Sequence, residues 1–128
     1  MPRALVIEDH QQMQNAMVDI FRDFGVDADV ADNTEEALRM LQRGAYDLVL
    51  SDNQFPRFAG EAAKSDQGVE LLLYVRYEEK YKGVPFILHS GDDNATLKNR
   101  VESHGGIFCP KGDVRLVSLI EHALLAHA

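Results

Sequence analysis

The sequence is poor in the features that mark several large classes of protein. Its one cysteine, Cys109, can form no internal disulfide and has no CxxC partner for redox or structural-metal work, so a buried spectator is expected. No apolar run approaches the ~18 residues that span a bilayer. The N-terminus, MPRALVIED, lacks signal-peptide anatomy, which leads us to expect a cytoplasmic address and no membrane partner. Basic residues are scarce: 13 Lys and Arg against 21 Asp and Glu leave a formal charge of −8, which repels phosphate backbones and argues against direct nucleic-acid binding. Repeats, linkers and low-complexity segments are missing, so residues 1–128 read as one domain. The five histidines, His10, His89, His104, His122 and His127, show no metal-ligand spacing and receive no role. What remains, 45% apolar and 27% charged residues, is the balance of a globular domain with a proper core.

The stretch Tyr46 to Pro56, YDLVLSDNQFP, organises the rest. Leu48-Val49-Leu50 is an unbroken branched apolar run, the mark of a strand buried on both faces in a parallel sheet. It runs straight into Asp52. Ligands of open parallel sheets sit outside the carboxyl ends of the strands, which places Asp52 at the mouth of a site, although an aspartate there can equally cap a turn. Pro56 turns the chain into a loop.

The remaining chain alternates between two periods. Apolar strands are expected at Arg3–Glu8, Asp27–Ala31, Val84–His89 and Gly106–Cys109, the second of them an edge strand because it alternates with acids. Helical spacing runs from Gln11 to a stop at Gly25, from an Asn33 cap to Gly44, from Gly68 to about Tyr81, from an Asp92 or Asp93 cap to His104, and from an Asp113 cap onward. In that last helix Leu116, Val117, Ile120 and Leu124 are expected to face inward. Residues 57–67, RFAGEAAKSDQ, carry no clear period and read as a loop with at most one weak helical turn. Strict alternation of five strands and five helices predicts an α/β fold with right-handed crossovers and helices on both faces of a parallel sheet.

That topology gathers Glu8 and Asp9, Asp52, Ser90 and Lys111 on one rim. Carboxylates brought together repel, each pair by roughly 4 kcal/mol at about 4 Å and an effective dielectric of about 20. Such a cluster calls for a cation, and an oxygen-only ligand set with room for a phosphate oxygen suits Mg²⁺. Lysine and hydroxyl on the remaining sides match the spread negative charge of a phosphoryl group. The rim reads as a place for phosphoryl transfer onto or near Asp52.

The series ALVIED, YDLVLSDNQFP, GVELLLYVR, FILHSG and FCPKG resembles, along the whole chain, the receiver domain of two-component response regulators. The resemblance implies a flavodoxin-like, doubly wound sheet of strand order 2-1-3-4-5. It implies Asp52 as phosphoacceptor, Asp9 as a direct Mg²⁺ ligand, Glu8 as a carboxylate holding the metal through water, and the backbone carbonyl of Gln54 as a further ligand. Lys111 would pair with phosphoryl oxygens, Ser90 would be the switch hydroxyl, and Phe108 the aromatic that swings inward once Ser90 is recruited. A histidine kinase or histidine phosphotransfer protein would supply the phosphoryl group, a downstream protein would receive the output by docking, and a stand-alone receiver that turns over no separate substrate is expected.

The sequence departs from the family pattern in three places. The helix-opening glycine of GxEL stands twelve residues after Pro56 rather than four, an insertion of eight, with Gly60 and Glu61 as a rival register. Lys111 precedes Gly112 where the family usually has proline, which puts the usual cis peptide there in question. The switch aromatic is a phenylalanine, without the commoner tyrosine hydroxyl. Bland roles stand beside the functional ones: Ser90 as a turn residue before Gly91, Phe108 as a plain core aromatic, Lys111 as a solvated lysine. Two rival functions are a constitutive, phosphorylation-independent interaction module of the same fold and a phosphatase of the haloacid dehalogenase type. The latter wants a second acid where this chain has Gln54.

Overall fold

The computed structural model describes residues 2–127; Met1 and Ala128, part of the expected 1–128 unit, lie outside the described residues, as does the side chain of His127. Five strands, β1 (Arg3–Ile7), β2 (Asp27–Ala31), β3 (Leu48–Ser51), β4 (Phe86–Ser90) and β5 (Ile107–Pro110), form one sheet in the order β2-β1-β3-β4-β5. Every pairing is parallel, with Val6 level with Leu50 and Leu88 level with Phe108. The expected flavodoxin-like order is the observed one.

Period two along each strand divides the core. Leu5, Ile7, Val49, Phe86, Leu88 and Phe108 pack with residues of α2 (Thr34–Arg43), α3 (Gln67–Tyr77) and α4 (Ala95–Ser103). Ala4, Val6, Leu48, Leu50, Ile87 and Cys109 pack with α1 (Gln11–Asp23) and α5 (Leu116–His127). A fully buried leucine such as Leu72 contributes about 1.5–3 kcal/mol by burial. Because both faces are covered, the central strands carry apolar residues at consecutive positions, and this is why their sequences read so plainly.

Helix ends and faces depart from expectation in four places, the first being α5, which begins at Leu116 while Asp113, its expected cap, lies in the preceding turn and accepts from Arg115 N–H at 2.9 Å. α3 ends at Tyr77, not near Tyr81; the apolar Tyr81 continues the helical spacing but sits in the following turns, buried, with its hydroxyl donating to Gly44 O. The cap of α4 is Asn94, whose side chain accepts from Leu97 N–H at 2.7 Å, rather than Asp92 or Asp93. In α5, Val117 faces water at 48% exposure, while Leu116, Ile120 and Ala123 face the sheet. The Asn33 cap of α2 is as expected, accepting from Glu36 N–H at 2.9 Å.

Residues 57–66 lack helix or strand apart from an antiparallel bridge between Phe55 and Lys64, and α3 takes Gln67 from the expected 57–67 loop. The segment is anchored at its start. Phe55 is fully buried, and the carbonyls of Pro56 and Arg57 accept the N–H groups of Thr34 and Glu35 at 3.0 and 2.9 Å, so the loop satisfies donors that the first turn of α2 leaves open.

Candidate functional site

Gly68 seats α3 against the end of β3. A Cβ there would lie 2.3 Å from Asp52 O and 2.9 Å from Asn53 Cα, so no larger residue fits without moving backbone. A Cβ on Gly60 would meet nothing within 4 Å. The close approach therefore belongs to Gly68, and the register with the longer insertion is the one the fold uses. Asn53, which the sequence reading passed over, completes the joint: its side-chain oxygen accepts from Val69 N–H at 3.2 Å, and its carbonyl accepts from Gly68 N–H at 3.3 Å. A buried Asn after a strand end is indistinguishable in sequence from a turn residue.

Four strand ends then deliver the rim. Glu8 and Asp9 follow β1, Asp52 follows β3, Ser90 closes β4 and Lys111 follows β5. Lys111 Nζ donates to Glu8 Oε1 at 3.1 Å and lies 3.3 Å from Asp52 Oδ2. The other oxygen of each acid is held by backbone: Asp52 Oδ1 accepts from Asn53 N–H at 2.7 Å, and Glu8 Oε2 accepts from Asp9 N–H at 2.9 Å and His10 N–H at 3.2 Å. Burial, and after it the charge of Asp52, pushes the Glu8 carboxyl up, with Lys111 acting in the opposite sense. Burial also works against the Lys111 ammonium, but Asp52 and Glu8 outweigh it and hold the group above its ordinary range.

Asp9 is different. Its Oδ1 is shut off from solvent and has no hydrogen-bond partner, although His10 Nδ1 stands 3.2 Å away. A buried carboxylate oxygen left in that state costs about 1–3 kcal/mol or more unless something cationic completes it. Glu8, Asp9 and His10 each offer a ligand atom within 4.8 Å of the others. Asp52 and Gln54 are outside that close set, but they line the same cavity of ≈ 340 Å³ as Asp9, His10, Ser90 and Lys111. His10, given no role from sequence, thus stands in the site. Ala63 from the insertion and Asp92 are further walls.

Ser90 is buried, its Oγ accepting from Asp92 N–H at 3.0 Å and its carbonyl accepting from Lys111 N–H at 2.6 Å. Phe108 is only 7% exposed and packs in the core cluster with Leu88, Leu97 and Val101, so its ring already points inward. No peptide bond among the described residues is cis, and Gly112 adopts φ +86°, which proline, fixed near −65°, cannot reach. Glycine after Lys111 therefore goes with a different loop conformation from the one the resemblance implied.

A five-stranded parallel sheet with an acidic, lysine-bearing cavity at its carboxyl edge defines a doubly wound α/β domain with its candidate site at the strand ends. The chain belongs to the response regulator receiver domain family, whose model matches residues 4–108. Chemotaxis protein CheY-3 of Vibrio cholerae is 29% identical over 87 residues, 67% of this chain and 61% of the relative, and CheY of Pseudomonas aeruginosa is 28% identical over the same length. The chain thus matches about three fifths of the length of these curated relatives. Among solved structures, CheY4 of Vibrio cholerae superposes with a TM-score of 0.77 at 20% identity, covering 100% of this chain and 99% of that one. The HemR receiver domain of Leptospira biflexa gives 0.80 at 21% identity, covering 97% and 94%. At such identities these likenesses speak for the fold. The protein is a receiver domain of the CheY-like response regulator type, consistent with two-component signalling.

Proposed function

We propose that Asp52 accepts a phosphoryl group from a phosphohistidine of a histidine kinase or histidine phosphotransfer protein. The observation that carries this reading is the pairing of Asp52 Oδ2 with Lys111 Nζ at 3.3 Å in a cavity whose remaining wall includes the unpartnered Asp9 oxygen. An Asp52 oxygen bonds to phosphorus as the phosphorus–nitrogen bond of the donor imidazole breaks, and that nitrogen keeps the electron pair. Lys111 moves its charge from the carboxylates to the phosphoryl oxygens. The buried Ser90 hydroxyl, now occupied by Asp92 N–H, is the group that would turn to the phosphoryl oxygen and hold the inward Phe108 ring in place.

The residues present fit a Mg²⁺ ion. Asp9 offers an oxygen that nothing satisfies, and Glu8, Asp52 and the Gln54 backbone carbonyl supply the hard donors such an ion takes. When bound, it would neutralise the acids and the developing charge on the phosphoryl oxygens. The domain assists its own phosphorylation and turns over no separate substrate; output passes to a downstream protein that docks on it, in the cytoplasm. No helix among the described residues is long and apolar enough to cross a membrane.

Incubation with acetyl phosphate and Mg²⁺ tests the reading. Intact-protein mass spectrometry should show one base-labile phosphoryl group on the parent and none on Asp52→Asn. Equal labelling of that variant overturns the assignment. A phosphate-free partner interaction of equal strength in parent and variant would favour the constitutive module instead.

A further inference from the structure

We propose that His10 is a metal ligand of this site, and that the nitrogen it adds shifts the rim's preference from Mg²⁺ toward a transition-metal ion such as Zn²⁺. The proposal rests on reading the rim as a cation site and adds one residue to it. His10 is the residue before α1, and its side chain is 77% exposed, so its ring is free to keep or change partners at little cost in packing. Yet Nδ1 lies 3.2 Å from Asp9 Oδ1 and 3.4 Å from Glu8 Oε2.

Those separations are also compatible with ligands that share an ion. Two donors at about 2.1 Å from one metal stand about 3.0 Å apart at an octahedral right angle and about 3.4 Å apart in a tetrahedron. A hydrogen bond accounts for the Glu8 contact but not for the Asp9 one. The Asp9 contact is not aligned as a hydrogen bond, since Asp9 Oδ1 is left without one despite the short distance. Glu8 Oε2 accepts two backbone N–H groups besides its bond with the ring, so Asp9 Oδ1 is the oxygen left for an ion. An ion between these atoms would complete Asp9 and use the imidazole in its neutral form.

The choice of ion follows from ligand type. Carboxylates, carbonyls and water suit Mg²⁺, whereas imidazole suits Zn²⁺ and its neighbours in the first transition row. An imidazole beside two carboxylates therefore raises affinity for the latter far more than for Mg²⁺. Coordination through Nδ1 leaves Nε2 facing water, in keeping with the exposure of the ring.

Metal-free protein and His10→Gln, both checked for folding by circular dichroism, are titrated with Mg²⁺ alone and with Zn²⁺ alone by calorimetry. The parent's imidazole nitrogens are followed in parallel by long-range ¹H–¹⁵N NMR. The ratio of Zn²⁺ to Mg²⁺ affinity should fall by about tenfold or more in His10→Gln, the least that even an outer partner of a metal ligand is worth. Zn²⁺ should shift His10 Nδ1 in the parent, and Mg²⁺ should not shift it as far. An unchanged ratio, or a His10 ring indifferent to saturating Zn²⁺, overturns the proposal while leaving the Mg²⁺ reading in place. Failure of the parent to bind Mg²⁺ at all removes that reading and the His10 assignment with it.

Discussion

The two rims of the sheet hold similar polar residues and treat them in opposite ways. At the amino-terminal rim, Arg3 pairs with Asp29 and lies 5.3 Å over the Tyr46 ring, the Tyr46 hydroxyl donates to Asp29 Oδ2 at 2.7 Å, and Arg3 N–H donates to Asp47 at 2.9 Å. Burial, then the bond to Asp29, holds the Tyr46 phenol well above its usual range, fixing it as a donor. At the carboxyl rim Glu8 and Asp52 share one lysine, and Asp9 Oδ1 has no hydrogen-bond partner. One rim is finished by the chain itself; the other is finished only by something that arrives. Local rules that fail in an otherwise consistent fold are where function is expected.

The largest expected effect comes from disturbing the backbone that shapes the open rim. Gly68→Ala should cost about 3 kcal/mol in urea unfolding, because its Cβ meets the Asp52 carbonyl, whereas Gly60→Ala should cost about 1 kcal/mol for its positive φ alone. Equal losses would mean that α3 is not seated as described. Next, Asp29→Ala should destabilise by about 2 kcal/mol, because it strands the buried Tyr46 hydroxyl and frees Arg3. A neutral result would show the amino-terminal rim to be no more closed than the other.

The open rim should respond with the opposite sign. In EDTA, Asp9→Asn should gain about 1 kcal/mol, since it removes a charge without breaking a bond. Asp52→Asn should gain less because it forfeits the contact with Lys111. A loss for Asp9→Asn would show that the acids do not repel in the metal-free protein. The smallest effect belongs to His89, buried on β4 between the rims. Burial first, and then Lys111, lowers its pKa from 6.5, so the unfolded chain binds the proton more readily. Stability should therefore be full above pH 6.5 and decline as pH falls through the folded value. Urea midpoints across that range should lose this part of their slope in His89→Gln, and an identical slope would clear His89 of the effect.

Much of this contrast was legible in the residues. Strands covered on both faces cannot hide their apolar runs, and acids ending two of them announced the open rim. Other features rest on choices between equals. Asp92, Asp93 and Asn94 are three good caps in a row, and only the turn geometry selects the last. Tyr81 mimics another helical turn because burial, not helicity, sets its identity. Val117 fits the inward spacing of α5 but lies beyond the edge of the face that the sheet covers. Asn53 works through contacts made once α3 meets the end of β3, and the exposed ring of His10 beside two neighbouring acids reads like any surface histidine, so no spacing rule could signal them.

The anchored insertion has a use that its chemistry alone does not suggest. The Phe55–Lys64 bridge pins its neck, Gly60 sits at its tip with open space around it, and Ala63 brings its return limb to the cavity of Asp52. Doubling the length of such a loop costs only about 0.6 kcal/mol in closure entropy. The tip at Gly60 is thus a natural socket for a grafted fluorophore or peptide tag, near enough to the acceptor to register its chemical state and insulated from the sheet by the bridge.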